Sequence, residues 1–223
     1  MEAILNFKQE LTGAFGQPIA ENPTQAMIEA AYRHHKLDWR YLTIEVAPEG
    51  LADAVAGAKA MGFVGFNCTI PHKVSVIPYL DGLGDSAALM GAVNCVVCRE
   101  GKWIGENTDG KGFLESLCRR FDPKGKRVVI FGAGGAARAI SVELALAGVK
   151  GITIVNRTAA RGQELADLLA TKVNDCVEGD LEIKFVHWPK EYAVPAHADL
   201  VINATSIGLF PNLDATLPIS NES

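Results

Sequence analysis

The stretch Arg127-Val128-Val129-Ile130-Phe131-Gly132-Ala133-Gly134-Gly135-Ala136-Ala137 decides the fold. Its first five residues are a continuous, largely β-branched run, as expected of a parallel strand buried on both faces. Gly132 to Gly135 reads as a glycine turn, and Ala136 to Ala147 as a helix stopped by Gly148. Strand, turn and helix in that order fit G-x-G-x-x-A, the pattern of a dinucleotide-binding unit. The first glycine permits the tight turn, the second lets backbone approach a pyrophosphate, and Ala137 is small enough for close helix–strand packing. The helix N-terminus adds unpaired N–H groups and a partial positive charge. Gly132, Ala133, Gly134, Gly135 and Ala136 are therefore the expected phosphate-binding residues.

Further strands are expected at Ile152 to Val155, Ile183 to Val186 and Leu200 to Ile202, with a helix over Ala159 to Ala170. The second strand runs into Asn156-Arg157-Thr158, where an NAD enzyme usually carries an acid for the ribose hydroxyls. No carboxylate stands there. Arg157 can stack on adenine and pair with a 2′-phosphate, Thr158 can donate a hydrogen bond, and Arg161 lies one helical turn on. The balance favours NADP. Only four strands are legible where such a domain usually has about six, so the C-terminal part is expected to be missing.

Upstream, helix and strand also alternate. Helices are expected over Pro23 to Leu37 (with Asn22 as N-cap), Pro48 to Met61, from Pro71, and over Thr108 to Arg120. Strands are expected at Arg40 to Val46 and Phe63 to Asn67, with a hairpin from Asn94 to Ile104 around Glu100-Gly101. This is the pattern of an α/β protein with mostly parallel sheets. Three polar clusters sit at strand ends or helix starts, where α/β enzymes place their sites. They are Asn67 to Lys73, Gly91 to Asn94, and Gly105 to Gly110. Taken singly, Lys73 reads equally as a surface lysine, Asp109 as a residue favoured by a helix dipole, and Asn94 as a turn residue.

The 223 residues carry a net charge of −5, with 48% hydrophobic and 21% charged side chains. Those values exclude a disordered chain. Acidic residues outnumber basic ones in both halves, which argues against a nucleic-acid-tracking surface. No apolar run reaches the roughly 20 residues of a membrane span. Met1-Glu2 does not open a signal peptide. Five cysteines at irregular spacing are not a secreted disulfide framework and fit a reducing cytoplasm. Cys95 and Cys98 lie on an expected strand, three apart and so on opposite faces, and are read as core cysteines. No metal set is expected, and His34-His35, His72, Trp39, Trp103 and Trp188 are read as structural. Oligomeric state is not legible.

Seven motifs in order carry a resemblance: Gly16-Gln17-Pro18-Ile19, Thr69-Ile70-Pro71-His72-Lys73, Gly91-Ala92-Val93-Asn94, Asn107-Thr108-Asp109-Gly110, Gly132 to Ala136, Asn156-Arg157-Thr158, and Asn203 to Gly208. From Leu11 to about Leu217 the sequence resembles the shikimate dehydrogenase family, quinate-oxidising relatives included. The resemblance implies a substrate-binding catalytic domain over 1–107, a Rossmann NADP-binding domain over 108–223, and a cleft between them. It implies hydride transfer between NADP(H) and a ring hydroxyl of a small-molecule acid, interconverting 3-dehydroshikimate and shikimate in aromatic amino-acid and chorismate biosynthesis. It further implies Lys73 and Asp109 as the catalytic pair and Thr69, Asn94 and Asp109 on substrate hydroxyls. Asp85 is implied near the nicotinamide, and Thr205 and Ser206 beneath it.

The chain departs from that family at Glu21-Asn22-Pro23-Thr24-Gln25, where the family reads His-Ser-x-Ser-Pro and its serines hold the substrate carboxylate. Asn22 and Thr24 can still donate hydrogen bonds, at a helix start suited to a carboxylate. Glu21 would repel an anionic substrate, point away, or favour an amine or extra hydroxyls. A quinate or aminoshikimate dehydrogenase stays open as an alternative, as does a non-catalytic NADP or metabolite sensor.

Overall fold

The computed structural model describes residues 8–177, 179–188, 191–209 and 212–221. Met1-Glu2 and the last residue, Ser223, lie outside the described residues. The chain forms two compact units, 1–107 and 108–223.

The first unit holds β1 Glu10–Gly16, α1 Thr24–His34, β2 Trp39–Glu45, α2 Leu51–Ala60, β3 Phe63–Cys68, α3 His72–Ser75, β4 Gly82–Leu83, α4 Asp85–Met90, β5 Cys95–Arg99 and β6 Lys102–Glu106. Its sheet has the order β2-β1-β3-β5-β6-β4. β1 runs parallel to both β2 and β3, whereas β5 is antiparallel to β3 and to β6. The hairpin expected around Glu100-Gly101 is present. Both turn residues have positive φ, 52° and 76°, as a two-residue hairpin turn requires. Phe15, Phe66 and Trp103 form the aromatic centre of the core, with Leu51, Val55 and Ala58 of α2 packed on it.

Two sequence expectations shift here. The first helix begins at Thr24, not Pro23, which is the cap. Central strand β1 was not expected. A Cβ at Gly13 would sit 2.5 Å from Leu42 O, so the glycine that lowers strand propensity is the residue that lets β1 and β2 approach.

The second unit contains α5 Thr108–Cys118, β7 Arg127–Phe131, α6 Gly135–Leu146, β8 Gly151–Asn156, α7 Ala159–Leu168, β9 Glu182–His187, β10 Tyr192–Val194, β11 Leu200–Asn203 and β12 Ile219–Asn221. Four strands form a parallel sheet, β11-β7-β8-β9, and β10 pairs separately with β12. Phe131, Trp188 and Tyr192 pack together beside Val129 and Val155. Helix α5 lies tight on α6, because a Cβ at Gly110 would fall 2.3 Å from Ala139 O.

The core reading of Cys95 and Cys98 is corrected. Cys98 is exposed near the hairpin tip, and Cys95, at the other end of β5, is only half-buried. Among the described residues, no helix is long and apolar enough to cross a membrane, and no cluster of potential metal ligands occurs. Gly110→Val forces α5 off α6. Its melting temperature should fall by about 3–10 °C, from an overpacking cost of about 1–3 kcal/mol, as read by thermal denaturation.

Candidate active site

Strand register gathers the polar residues of the first unit at one sheet edge. β1, β2 and β3 are parallel, so Gly16, Glu45 and Cys68 end side by side. β5 starts at that edge, with Asn67 opposite Cys95, and β6 ends there, with Cys95 opposite Glu106. β4 ends there too, with Leu83 opposite Gly105. The turn with Asn22 and Thr24 follows β1. Thr69 and Lys73 follow β3, Asn94 precedes β5, and Asp85 follows β4. The carboxyl edge of such a sheet is where α/β proteins bind ligands.

Hydrogen bonds fix this edge. Thr69 N–H donates to Phe15 O at 3.0 Å, and His72 N–H to Thr69 O at 2.8 Å. A Cβ at Gly16 would strike the Thr69 methyl at 2.2 Å, so β1 and the Thr69 loop are in direct contact. His72 is fully buried, with Nε2 2.7 Å from Val46 O. The next residue's carbonyl, Lys73 O, accepts Val93 N–H at 2.7 Å. Lys73 is thus held from both sides, with its side chain half-buried. The structural reading of His72 holds.

Asn94 is buried and held by its backbone, its N–H donating to Glu106 O and its carbonyl accepting Cys68 N–H. Asn67 Nδ2 also donates to Asn94 O at 3.1 Å, while Tyr41 Oη donates to Asn67 Oδ1 at 2.8 Å. Burial pushes the Tyr41 phenol well above its ordinary range, so it stays protonated and keeps donating. Burial likewise pushes the Cys68 thiol up to about 12, which removes it as a nucleophile at neutral pH. Tyr41 was not expected in this network, because it acts from 26 residues away in sequence.

The β1–α1 turn differs from its sequence reading. Asn22 Oδ1 accepts both Thr24 N–H at 2.9 Å and Thr24 Oγ1–H at 2.5 Å. The Thr24 hydroxyl proton, expected to be available to a substrate, is already used. Glu21 is exposed.

In the second unit, the residues expected from the sequence to bind the cofactor also gather at one carboxyl edge. Gly132 follows β7, Arg157 and Thr158 follow β8, and Thr205 and Ser206 follow β11. β11 lies on the far side of β7 from β8, so the strand order reverses between β7 and β11, a topological switch point. Gly132 has φ 114°, and a Cβ there would sit 2.7 Å from Ala204 O. Only glycine lets these two loops close. Helix α6 has no side-chain cap at Gly134, and Gly134 and Gly135 border open space. Those residues fit a pyrophosphate, with donor N–H groups and room for it. Thr205 N–H and Oγ1–H both donate to Asn203 Oδ1, at 3.0 and 2.7 Å. The exposed Arg157 guanidinium lies 5.8 Å from the Trp188 ring centre. Arg161 is exposed on the first turn of α7, and Asp109 on the first turn of α5. With two arginines and no carboxylate at the end of β8, this edge suits a 2′-phosphate.

Two family models match the chain: the shikimate dehydrogenase substrate binding domain over residues 14–96, and shikimate / quinate 5-dehydrogenase over residues 116–207. The chain is 42% identical over 214 residues to a shikimate dehydrogenase (NADP(+)) of Methanopyrus kandleri, covering 92% of this chain and 70% of that protein. The structure of 5-ketofructose reductase from Gluconobacter sp. strain CHM43 matches with a TM-score of 0.88 and 56% identity, over 96% of this chain and 75% of that one. Shikimate 5-dehydrogenase from Listeria monocytogenes, in complex with shikimate and NAD, matches with a TM-score of 0.85 and 31% identity, over 99% of this chain and 80% of that one.

Tyr41→Phe leaves Asn67 Oδ1 without its buried donor, a loss of about 1–3 kcal/mol. Thermal denaturation should show a lower midpoint, while titration with NADPH, expected to bind the second unit, should give unchanged affinity.

Proposed function

Because the chain belongs to the shikimate dehydrogenase family, we propose that it is an NADP-dependent oxidoreductase that interconverts a carbonyl and a hydroxyl on a polyhydroxylated small molecule. The family reaction is that of 3-dehydroshikimate and shikimate. The observation that carries this reading is Lys73, clamped through His72 and Val93 at the carboxyl edge of the first sheet. A sensor that only bound its ligands has no use for a proton donor held in place.

Gly132 to Ala136 would hold the pyrophosphate of NADPH, Thr205, Ser206 and Asp85 are the residues that the family motifs assign to its nicotinamide, and the bound cofactor would supply a hydride. The carbonyl carbon that receives it becomes a carbinol carbon, and its oxygen takes on negative charge. The Lys73 ammonium stabilises that oxygen and gives it a proton. Asp109, the carboxylate that the family motif pairs with this lysine, would accept a hydrogen bond from the adjacent substrate hydroxyl. Thr69 and Asn94 hold further hydroxyls, and Asn22 and Thr24 meet the far end of the substrate. Arg157, Thr158 and Arg161 take the 2′-phosphate, and Asn156 shapes their turn through Nδ2–H to Thr158 O at 2.8 Å.

A second reading is reduction of a neutral keto-sugar, favoured by the 56% identity to 5-ketofructose reductase.

Lys73→Ala should lower kcat by about 10²–10⁴-fold while NADPH still binds with unchanged Kd. Undiminished turnover would overturn the assignment. Arg157→Ala should raise KM for NADPH about tenfold or more, from the loss of a charged hydrogen bond, and leave KM for NADH nearly unchanged. Parallel kinetics with the two cofactors check it.

A further inference from the structure

The turn that joins β1 to α1 lies at the edge where the substrate is read to bind, beside the Thr69 loop that touches Gly16. What it offers a ligand follows from its internal hydrogen bonds. Asn22 N–H is donated to Ile19 O at 3.0 Å. Thr24 N–H, the first amide of α1, is donated to Asn22 Oδ1, and the Thr24 hydroxyl proton goes to the same oxygen. A hydroxyl has one proton and two lone pairs, so Thr24 Oγ1 turns only acceptor lone pairs outward. Thr43 Oγ1 donates to Gln25 Oε1 at 3.0 Å and pins the next residue to β2. Glu21 adds an exposed carboxyl group, and Asn22 Nδ2 is the one side-chain donor left on Glu21 to Thr24.

A carboxylate has no proton to give and needs donors or positive charge. This turn has used both Thr24 donors on itself, keeps one side-chain donor in Asn22 Nδ2, and carries a negative charge beside it. A hydroxyl group meets the opposite situation, since it can donate to Thr24 Oγ1 or Glu21 and accept from Asn22 Nδ2. We propose that the Glu21-Asn22-Pro23-Thr24 turn is a specificity-determining element that selects a neutral polyhydroxy ketone and rejects one bearing a carboxylate. This rests on the reading of the chain as an NADPH-dependent carbonyl reductase, and it names the substrate class of that site.

The test compares initial rates of NADPH oxidation with 5-ketofructose, a neutral probe, and 3-dehydroshikimate, an anionic one. The proteins are the unaltered chain, Glu21→Gln, and Glu21→Gln combined with Asn22→Ser, which frees both Thr24 donors. Glu21 is exposed, so the single variant keeps the fold even if the double one is weakened. The unaltered protein should favour the neutral ketone in kcat/KM by about a hundredfold or more, within the range of sites that leave polar groups mismatched. Each variant should narrow that ratio, the double one by about tenfold or more, with KM for NADPH unchanged. Preference for 3-dehydroshikimate, or a ratio that neither variant moves, overturns the proposal. Reduction of neither ketone despite NADPH binding overturns the reductase reading, and the proposal with it.

Discussion

The register of the first sheet is the constraint on which the chemistry depends. Asn67 stands opposite Cys95, and Cys95 opposite Glu106. With that pairing, two antiparallel strands bring Asn94 and the end of β6 to the edge where β1 and β3 release Gly16 and Thr69. A slip of one residue would turn every side chain of a strand to its other face. Asn67 would then lose Tyr41, and Asn94 O would lose Asn67. The register is itself held by burial, since Phe66 and Val96 face the core. Hydrophobic packing thus sets the position of polar groups that do not contribute to the core.

Small residues do parallel work in both units. Gly16 lets β1 touch the Thr69 loop, and Gly132 lets the turn after β7 meet the loop after β11. In each case a side chain would collide with a neighbour that the site requires nearby. Two turns also share a device in which an asparagine carbonyl takes both the N–H and the hydroxyl of a threonine two residues on, at Asn22-Thr24 and Asn203-Thr205. The bond stiffens the loop and converts the threonine hydroxyl from donor to acceptor. Loops carrying function gain from such rigidity, because geometry held in advance costs nothing when the ligand arrives.

Much of this was legible in the sequence because the signals are local. The run from Arg127 to Phe131, the turn after it and the switch to helix are read from neighbouring residues, and the structure keeps them in that order. The hairpin at Glu100-Gly101 is legible for the same reason. Strand β1 was not, since its two glycines lower strand propensity and their purpose lies in Leu42 and Thr69, far along the chain. Tyr41 was hidden likewise, as a strand tyrosine whose hydroxyl finds Asn67 only after folding. β4, β10 and β12, of two or three residues, are too short to carry a period. The Thr24 hydroxyl, read from the sequence as a donor to a substrate, is instead given to Asn22 Oδ1. Residue identity shows which atoms can donate, whereas only geometry shows where the protons have gone.

The central claim is that this chain moves a hydride onto a substrate carbon with Lys73 completing the alcohol. NADPH deuterated at nicotinamide C4, on one face or the other, tests it most directly when reacted with 5-ketofructose and 3-dehydroshikimate. The account predicts that one of the two labels appears on the new carbinol carbon, with one deuterium per NADP+ formed, by mass spectrometry and NMR. NADPH that binds but transfers no deuterium to either ketone would contradict it and leave a nucleotide-binding protein without this chemistry.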